Sequence, residues 1–320
     1  MAGALGRTVL HRERYARIWG LGDRKSPSSI TPALMLMEED PALEVAHAPF
    51  SFSTTASLPS TLSVSSRGCF VPPSFETVGP EYEVNLGHVL PPSLEDANAG
   101  EVQGTSPLLP VSWQRMNHDD GLTDPSLLPE IVVITDALQL ASQPGKLPKA
   151  VLTLKHRFPG ALLWAPGLSG PDNVAVLASM GIDLFDLTRC REAAANDVLL
   201  TAWGPRLAHP HEDTTLASQV RHMIQSIEEV RAAIQSGQLR TLATRQSQSS
   251  PRLVEHLRRH HELMHQHDGN LASHRPASTE FPCYAPQALT DPLVVDWESF
   301  MVERYETPSP VREVMVLLPC

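Results

Sequence analysis

The chain has 320 residues, 42% of them hydrophobic, and a formal net charge of -11. That length accommodates about two domains of roughly 150 residues each, with a sizeable core. The acidic balance argues against a broad basic surface for nucleic acid, although a local cluster of cations can still hold a phosphate backbone.

The four cysteines, Cys69, Cys190, Cys283 and Cys320, show no CxxC spacing. Neither a zinc ribbon nor a disulfide scaffold is expected. The opening stretch MAGALGRTVLHRERYARIWG reaches Arg7 before any signal-peptide core can form. No run of about 18 apolar residues exists to span a membrane. The chain therefore reads as cytoplasmic. Most cations are arginines, whose planar forks suit phosphate; the lysines are Lys25, Lys146, Lys149 and Lys155.

In chain order, YARIWGLG and ALMLM are β-like pieces. Residues 50–75 are rich in Ser, Thr and Pro and read as a loop. Turn signals fill 91–129. After residue 130 the pattern sharpens. EIVVIT, GALLWAPG and IDLFD are apolar strands, and KLPKAVLTLKHRF has helical spacing. GPDNVAVLASMG is a helix with Pro171 and Asp172 at its start and Gly181 as its stop. REAAANDVLLT follows the third strand. Alternating strands and helices with short links predict an α/β fold, a parallel sheet or barrel with helices outside.

Residues 214–237 form an amphipathic helix through Leu216, Val220, Ile224, Ile227, Val230 and Ile234, ended by Gly237. A further helix starts at Pro251 and runs to 267; LVVDWESFMVERY is another, and VREVMVLLPC is a strand. The helix from Pro251 contains His261-Glu262-Leu263-Met264-His265, the HExxH pattern of zinc hydrolases. Asp268 stands where the extended motif wants Gly, no third ligand is evident, and Arg258 and Arg259 flank the motif. The pattern is read as a solvated, histidine-rich helix face, with a zinc hydrolase as a minor alternative.

MGIDLFDLTRC poses the central question, because buried strands usually avoid carboxylates. Asp186 closes a strand, the end at which parallel α/β folds carry their chemistry. Asp183 lies three residues earlier, on the other side of the strand, so the two do not form an acid/base pair. On pattern alone, Asp186 is either a site residue or a cap for the helix that follows.

LLWAPGLSGPDNVAVLASMGIDLFDLTRC resembles the late barrel segment of tRNA-guanine transglycosylases, with a Gly-containing loop, a helix and then G-[IV]-D-x-F-D. The resemblance implies a TIM-like β/α barrel. It makes Asp186 the equivalent of the nucleophile that attacks ribose C1′, puts Gly167 in the substrate loop and sets Arg189 or Arg191 against tRNA phosphates. A carboxylate nucleophile splits base exchange into two displacements. The zinc site of that family, Cys-x-Cys-x-x-Cys with a distant His, is missing, so no metal or cofactor is implied. Early substrate motifs are not visible in 60–130.

ITDALQLASQPGKLPKAVLTLKHRFPGALLWAPGL, VRAAIQSGQLRTLATRQSQSSPRLVEHLRR and the stretch CYAPQALTDPLVVDWESFMVERYETPSPVREVMVLLPC are similar to archaeosine synthase, an archaeal paralogue. That likeness implies a barrel over 1–210, helices packed on it over 211–270, and the beginning of a truncated core domain over 277–320. Cys320 would head the core motif or be a thiol of no consequence. The implied function is tRNA modification in archaeosine biosynthesis: addition of an amine to the nitrile of a 7-cyano-7-deazaguanine base, incomplete in this chain alone. The implied partners are tRNA and a separate chain carrying the missing core and RNA-binding domains, with no membrane and self-association left open. The alternative is a non-catalytic accessory barrel that binds tRNA.

Overall fold

Short runs of β-branched and apolar residues near the N-terminus pair as an antiparallel sheet in the structure, a computed structural model. Its strands are β1 (Arg7–Glu13), β2 (Ala16–Gly22) and β3 (Pro27–Ile30). The described residues are 7–22, 24–37, 40–52, 62–64, 70–71, 108–267 and 289–304.

The larger sheet takes its strands from both halves of the chain. They are β4 (Ala33–Leu36), β5 (Phe50–Phe52), β6 (Leu62–Val64), β7 (Phe70–Val71), β8 (Leu108–Val111), β9 (Ile131–Ile134), β10 (Leu162–Trp164) and β11 (Leu184–Phe185). Their order is β7-β6-β5-β4-β11-β10-β9-β8. Every pair is parallel except β6 with β7. The last strand, β11, thus lies beside the first, β4. No pairing joins β7 to β8 among the described residues.

Burial on both faces explains why β9 reads as an unbroken apolar run. Ile131 through Ile134 are all buried, and alternation splits them between two cores. Ile131 and Val133 join Ala33, Met35, Phe50, Leu162, Trp164 and Leu184 on one face. Val132 and Ile134 join Leu34, Leu163, Phe185 and the helices on the other.

On that second face lie α2 (Ala137–Ser142), α3 (Lys146–Arg157), α4 (Val174–Met180) and α5 (Thr188–Ala195). The expected start of α4 shifts: Asn173 is its N-cap, and Asp172 serves elsewhere. Gly181 ends it at φ 112°, and a Cβ there would meet Lys155 Cε at 2.9 Å, so only glycine fits both the turn and the approach.

After a hairpin of β12 (Val198–Thr201) and β13 (Gly204–Leu207), three helices complete the main core: α6 (Leu216–Ser236), α7 (Leu239–Ser247) and α8 (Pro251–His267). The Thr215 hydroxyl caps α6 by accepting from Ser218 N, and Gly237 ends it in the left-handed region. Buried Arg231 of α6 donates to the carbonyls of Pro32 at 2.8 Å and Ile30 at 2.7 Å, fastening the helix beside β4. The predicted helix near 293 is α9 (Pro292–Glu303). No helix among the described residues is long and apolar enough to cross a membrane.

Two expectations need adjusting. The region read as loop carries short strands β5 and β6, and residues 108–118 form β8 and α1 (Trp113–His118). Pro110 is tolerated in β8 because that strand is the outermost of the described sheet. The predicted strand VREVMVLLPC, with Cys320, lies outside the described residues.

Candidate functional site at the carboxyl edge of the sheet

Neither acid of β11 reaches water. Asp183 is buried and accepts from Lys155 Nζ at 2.5 Å and from Leu163 N at 2.9 Å. Burial pulls the Lys155 ammonium below its ordinary range, and the Asp183 charge opposes that shift.

Asp186 stands at the C-terminal end of β11, as expected, with 0% exposure. One carboxylate oxygen, Oδ2, accepts from Gly167 N at 2.8 Å and Trp164 Nε1 at 3.4 Å. The other accepts from Thr188 N, the first amide of α5, at 3.0 Å. Its main chain exchanges two bonds with Ser169 Oγ, donated by Asp186 N at 3.0 Å and accepted by Asp186 O at 2.8 Å. The residue therefore pins the loop after β10 to the start of α5.

Gly167 holds that loop at φ 76°, and a Cβ there would lie 3.2 Å from Leu138 Cδ1. Arg189 grips Asp172 with two bonds of 2.8 and 2.9 Å and also reaches Leu168 O. At Gly170 a Cβ would come within 2.5 Å of Asp172 and 2.6 Å of Arg189, so the clamp itself excludes a side chain there. Arg191 pairs with Asp40 and touches Thr188 Oγ1 at 3.4 Å. Both arginines expected to face phosphate are thus drawn onto carboxylates of this chain.

Two acids of this edge were missed in the sequence. Asp40 follows β4, and its carboxyl is pushed up by burial, against a bond from Met37 N and the Arg191 charge. Asp136 follows β9; burial raises it too, and its Oδ2 accepts from Trp113 N at 2.9 Å. Its Oδ1 has no partner among the described residues. With Asp186, they put a buried carboxyl just beyond the C-terminal ends of β4, β9 and β11, the end where open parallel sheets bind ligands. The available signal was an acid just after an apolar strand. Cys190, the free cysteine of α5, is buried with its thiol pushed up to about 12, mainly by burial, so it is no nucleophile.

The histidine-rich helix corrects another expectation. The face of α8 carrying His256, His260 and His261 is buried, not solvated. Its exposed flank is a ladder in which Arg258 and Arg259 both pair with Glu255 and Glu262. Glu262 is therefore occupied by two guanidinium groups. His261 faces Asp291 at 3.8 Å, whereas exposed His265 is 3.8 Å from Asp296. Among the described residues no cluster of three ligand side chains suits a metal.

Asp291 is itself a knot. It is buried, accepts from Arg14 at 2.7 and 2.9 Å and from Arg240 Nε at 2.8 Å, and is held far below the ordinary carboxylate range despite its burial. Glu13 accepts from Leu239 N and Arg240 N at 3.0 Å, capping α7. A cavity of about 20 Å³ among Glu13, Arg14, Arg240 and His260 has room for one water molecule.

No protein-family model matches the chain. Over 76 residues, 23% of its length, it is 37% identical to archaeosine synthase subunit alpha of Methanosarcina acetivorans. The match takes in 12% of that relative's length, so the likeness is local.

Proposed function

We propose that this protein acts in tRNA modification, as a tRNA-holding relative of the archaeosine synthase alpha subunit. The observation that carries the reading is the 37% identity over 76 residues to that subunit. A β/α barrel of the transglycosylase type is part of the proposal; β11 beside β4 is the neighbour relation that a ring of parallel strands requires at its seam. The shared core of the sheet with α6, α7 and α8 supports reading 211–270 as a layer packed on that barrel.

The chemistry of the edge favours holding over glycosyl exchange. A carboxylate nucleophile needs an oxygen facing its substrate. Asp186 instead accepts main-chain and indole N–H bonds and joins the β10 loop to α5. In this proposal Asp186 and Gly167 shape the edge, Arg189 and Arg191 stiffen it, and a separate polypeptide supplies the amine-transfer step on the deazaguanine base. The second reading, Asp186 as a live nucleophile, draws on its position at the C-terminal end of β11.

Incubation with a tRNA transcript followed by denaturing electrophoresis separates the two. The holding reading expects tRNA binding in native gels, no band surviving denaturation, and binding retained by Asp186→Asn. A covalent band that Asp186→Asn abolishes would establish the second reading. Absence of any tRNA binding by the intact chain would overturn both.

A further inference from the structure

Most of the guanidinium groups around the sheet edge and α8 are neutralised by this chain's own carboxylates, as Arg189, Arg191, Arg258 and Arg259 show. Lys146 and Lys149, two of the lysines of an acidic chain, are arranged otherwise. Their ammonium groups lie 5.1 and 5.7 Å from the centroid of one indole ring, that of Trp113. Among the described residues neither forms a direct ion pair with a carboxylate, although the Lys146 charge acts on Asp136.

Both lysines sit in the first turn of α3, which contains no acidic residue and whose N-cap, Gly145, offers no side-chain cap. Cations at a helix N-terminus oppose its dipole, so local stability does not explain them. An anion placed there reverses the sign of the interaction with both ammonium groups. Trp113 packs against the main core, and its backbone N–H donates to Asp136 at the carboxyl edge of the sheet. The ring is therefore a fixed platform, and side chains already ordered on it lose less freedom when they bind.

We propose that Trp113, Lys146 and Lys149 form a docking point for the phosphodiester backbone of tRNA. This rests on the tRNA-holding function above and names where the backbone is gripped. The sequence resemblance put that contact at Arg189 or Arg191; the lysine pair takes it instead.

The test uses the full chain and a labelled tRNA transcript, with anisotropy followed across a salt series. Each lost phosphate contact lowers the log–log salt slope by about 0.7 to 0.9. The Lys146→Gln/Lys149→Gln variant should therefore lose about 1.5 in slope and bind roughly tenfold more weakly at low salt. Trp113→Leu, which keeps the apolar packing, should weaken binding with a smaller change in slope, and Lys25→Gln should match the wild type. An unchanged slope in the double lysine variant, with wild-type binding intact, overturns the docking point and leaves the tRNA function standing. Absence of wild-type binding overturns both. Inorganic phosphate that displaces the transcript at matched ionic strength would show a free-phosphate site and overturn the assignment to RNA.

Discussion

Asp183 and Asp186 sit three residues apart on either side of β11, both buried, and are satisfied in opposite ways. Asp183 is answered by a full charge, Lys155, in addition to one backbone amide. Asp186 is answered only by uncharged N–H groups from Gly167, Trp164 and Thr188. A buried ion pair is costly to assemble and costlier to halve, because the surviving partner is left charged in a poor solvent. A carboxylate held by dipoles leaves no such orphan ion. The amino side of β11 is therefore an all-or-nothing feature, and the carboxyl side is a graded one.

The contrast can be broken by substitution. Asp183→Asn should be the most damaging, by about 3–5 kcal/mol, since it leaves Lys155 buried without its counter-charge. Chemical denaturation measures this, and Lys155→Met added to Asp183→Asn should recover much of the loss. A double variant no better than the single would show that the pair does not act as a unit. Asp186→Asn should cost less, about 1–3 kcal/mol, because one of its oxygens becomes a donor facing an amide. Equal losses at both positions would erase the proposed distinction.

His260 supplies a third case, a buried side chain held neutral. Burial, then the charges of His261 and Arg14, depress its pKa well below the ordinary imidazole value, against a bond to the Met180 backbone. Above about pH 6.5 folded and unfolded forms are both neutral. As pH falls through that value the unfolded chain takes a proton that the native site refuses, so stability declines toward pH 5. Urea midpoints at the two pH values should show that decline, and His260→Gln should reduce it, with buried His256 retaining a share. The smallest expected effect is local: Thr215→Ala removes the cap of α6 and should cost about 1 kcal/mol.

What was legible in the sequence follows from where periodicity is strong. The strands at 131–134 and 162–164, α3 and α6 announced themselves because burial on one face or both leaves a repeating apolar signature. Gly181 and Gly237 marked their helix ends for conformational reasons. β8 was hidden by Pro110 and the turn-rich residues around it, whereas β11 was legible in IDLFD although its ladder has only two residues. The site was harder to read. That Asp186 closes a strand was visible, but its burial was not, because the groups that enclose it come from residues 164–169, a separate stretch of chain. Likewise the family resemblance set Arg189 or Arg191 against phosphate, since nothing local reveals that Asp172 and Asp40 pair with them. The α8 histidines looked solvated because the adjacent charges are dense; their side chains divide cleanly between an exposed Arg/Glu ladder and an inner face.

The grip of Arg14 on Asp291 spans 277 positions of sequence. The β1–β2 turn precedes its carboxylate in the chain by the whole set of parallel strands and α6 to α8. The antiparallel hairpin and the short α9 segment are thus joined by a contact of very large sequence separation, whose loop must close before the contact rewards it.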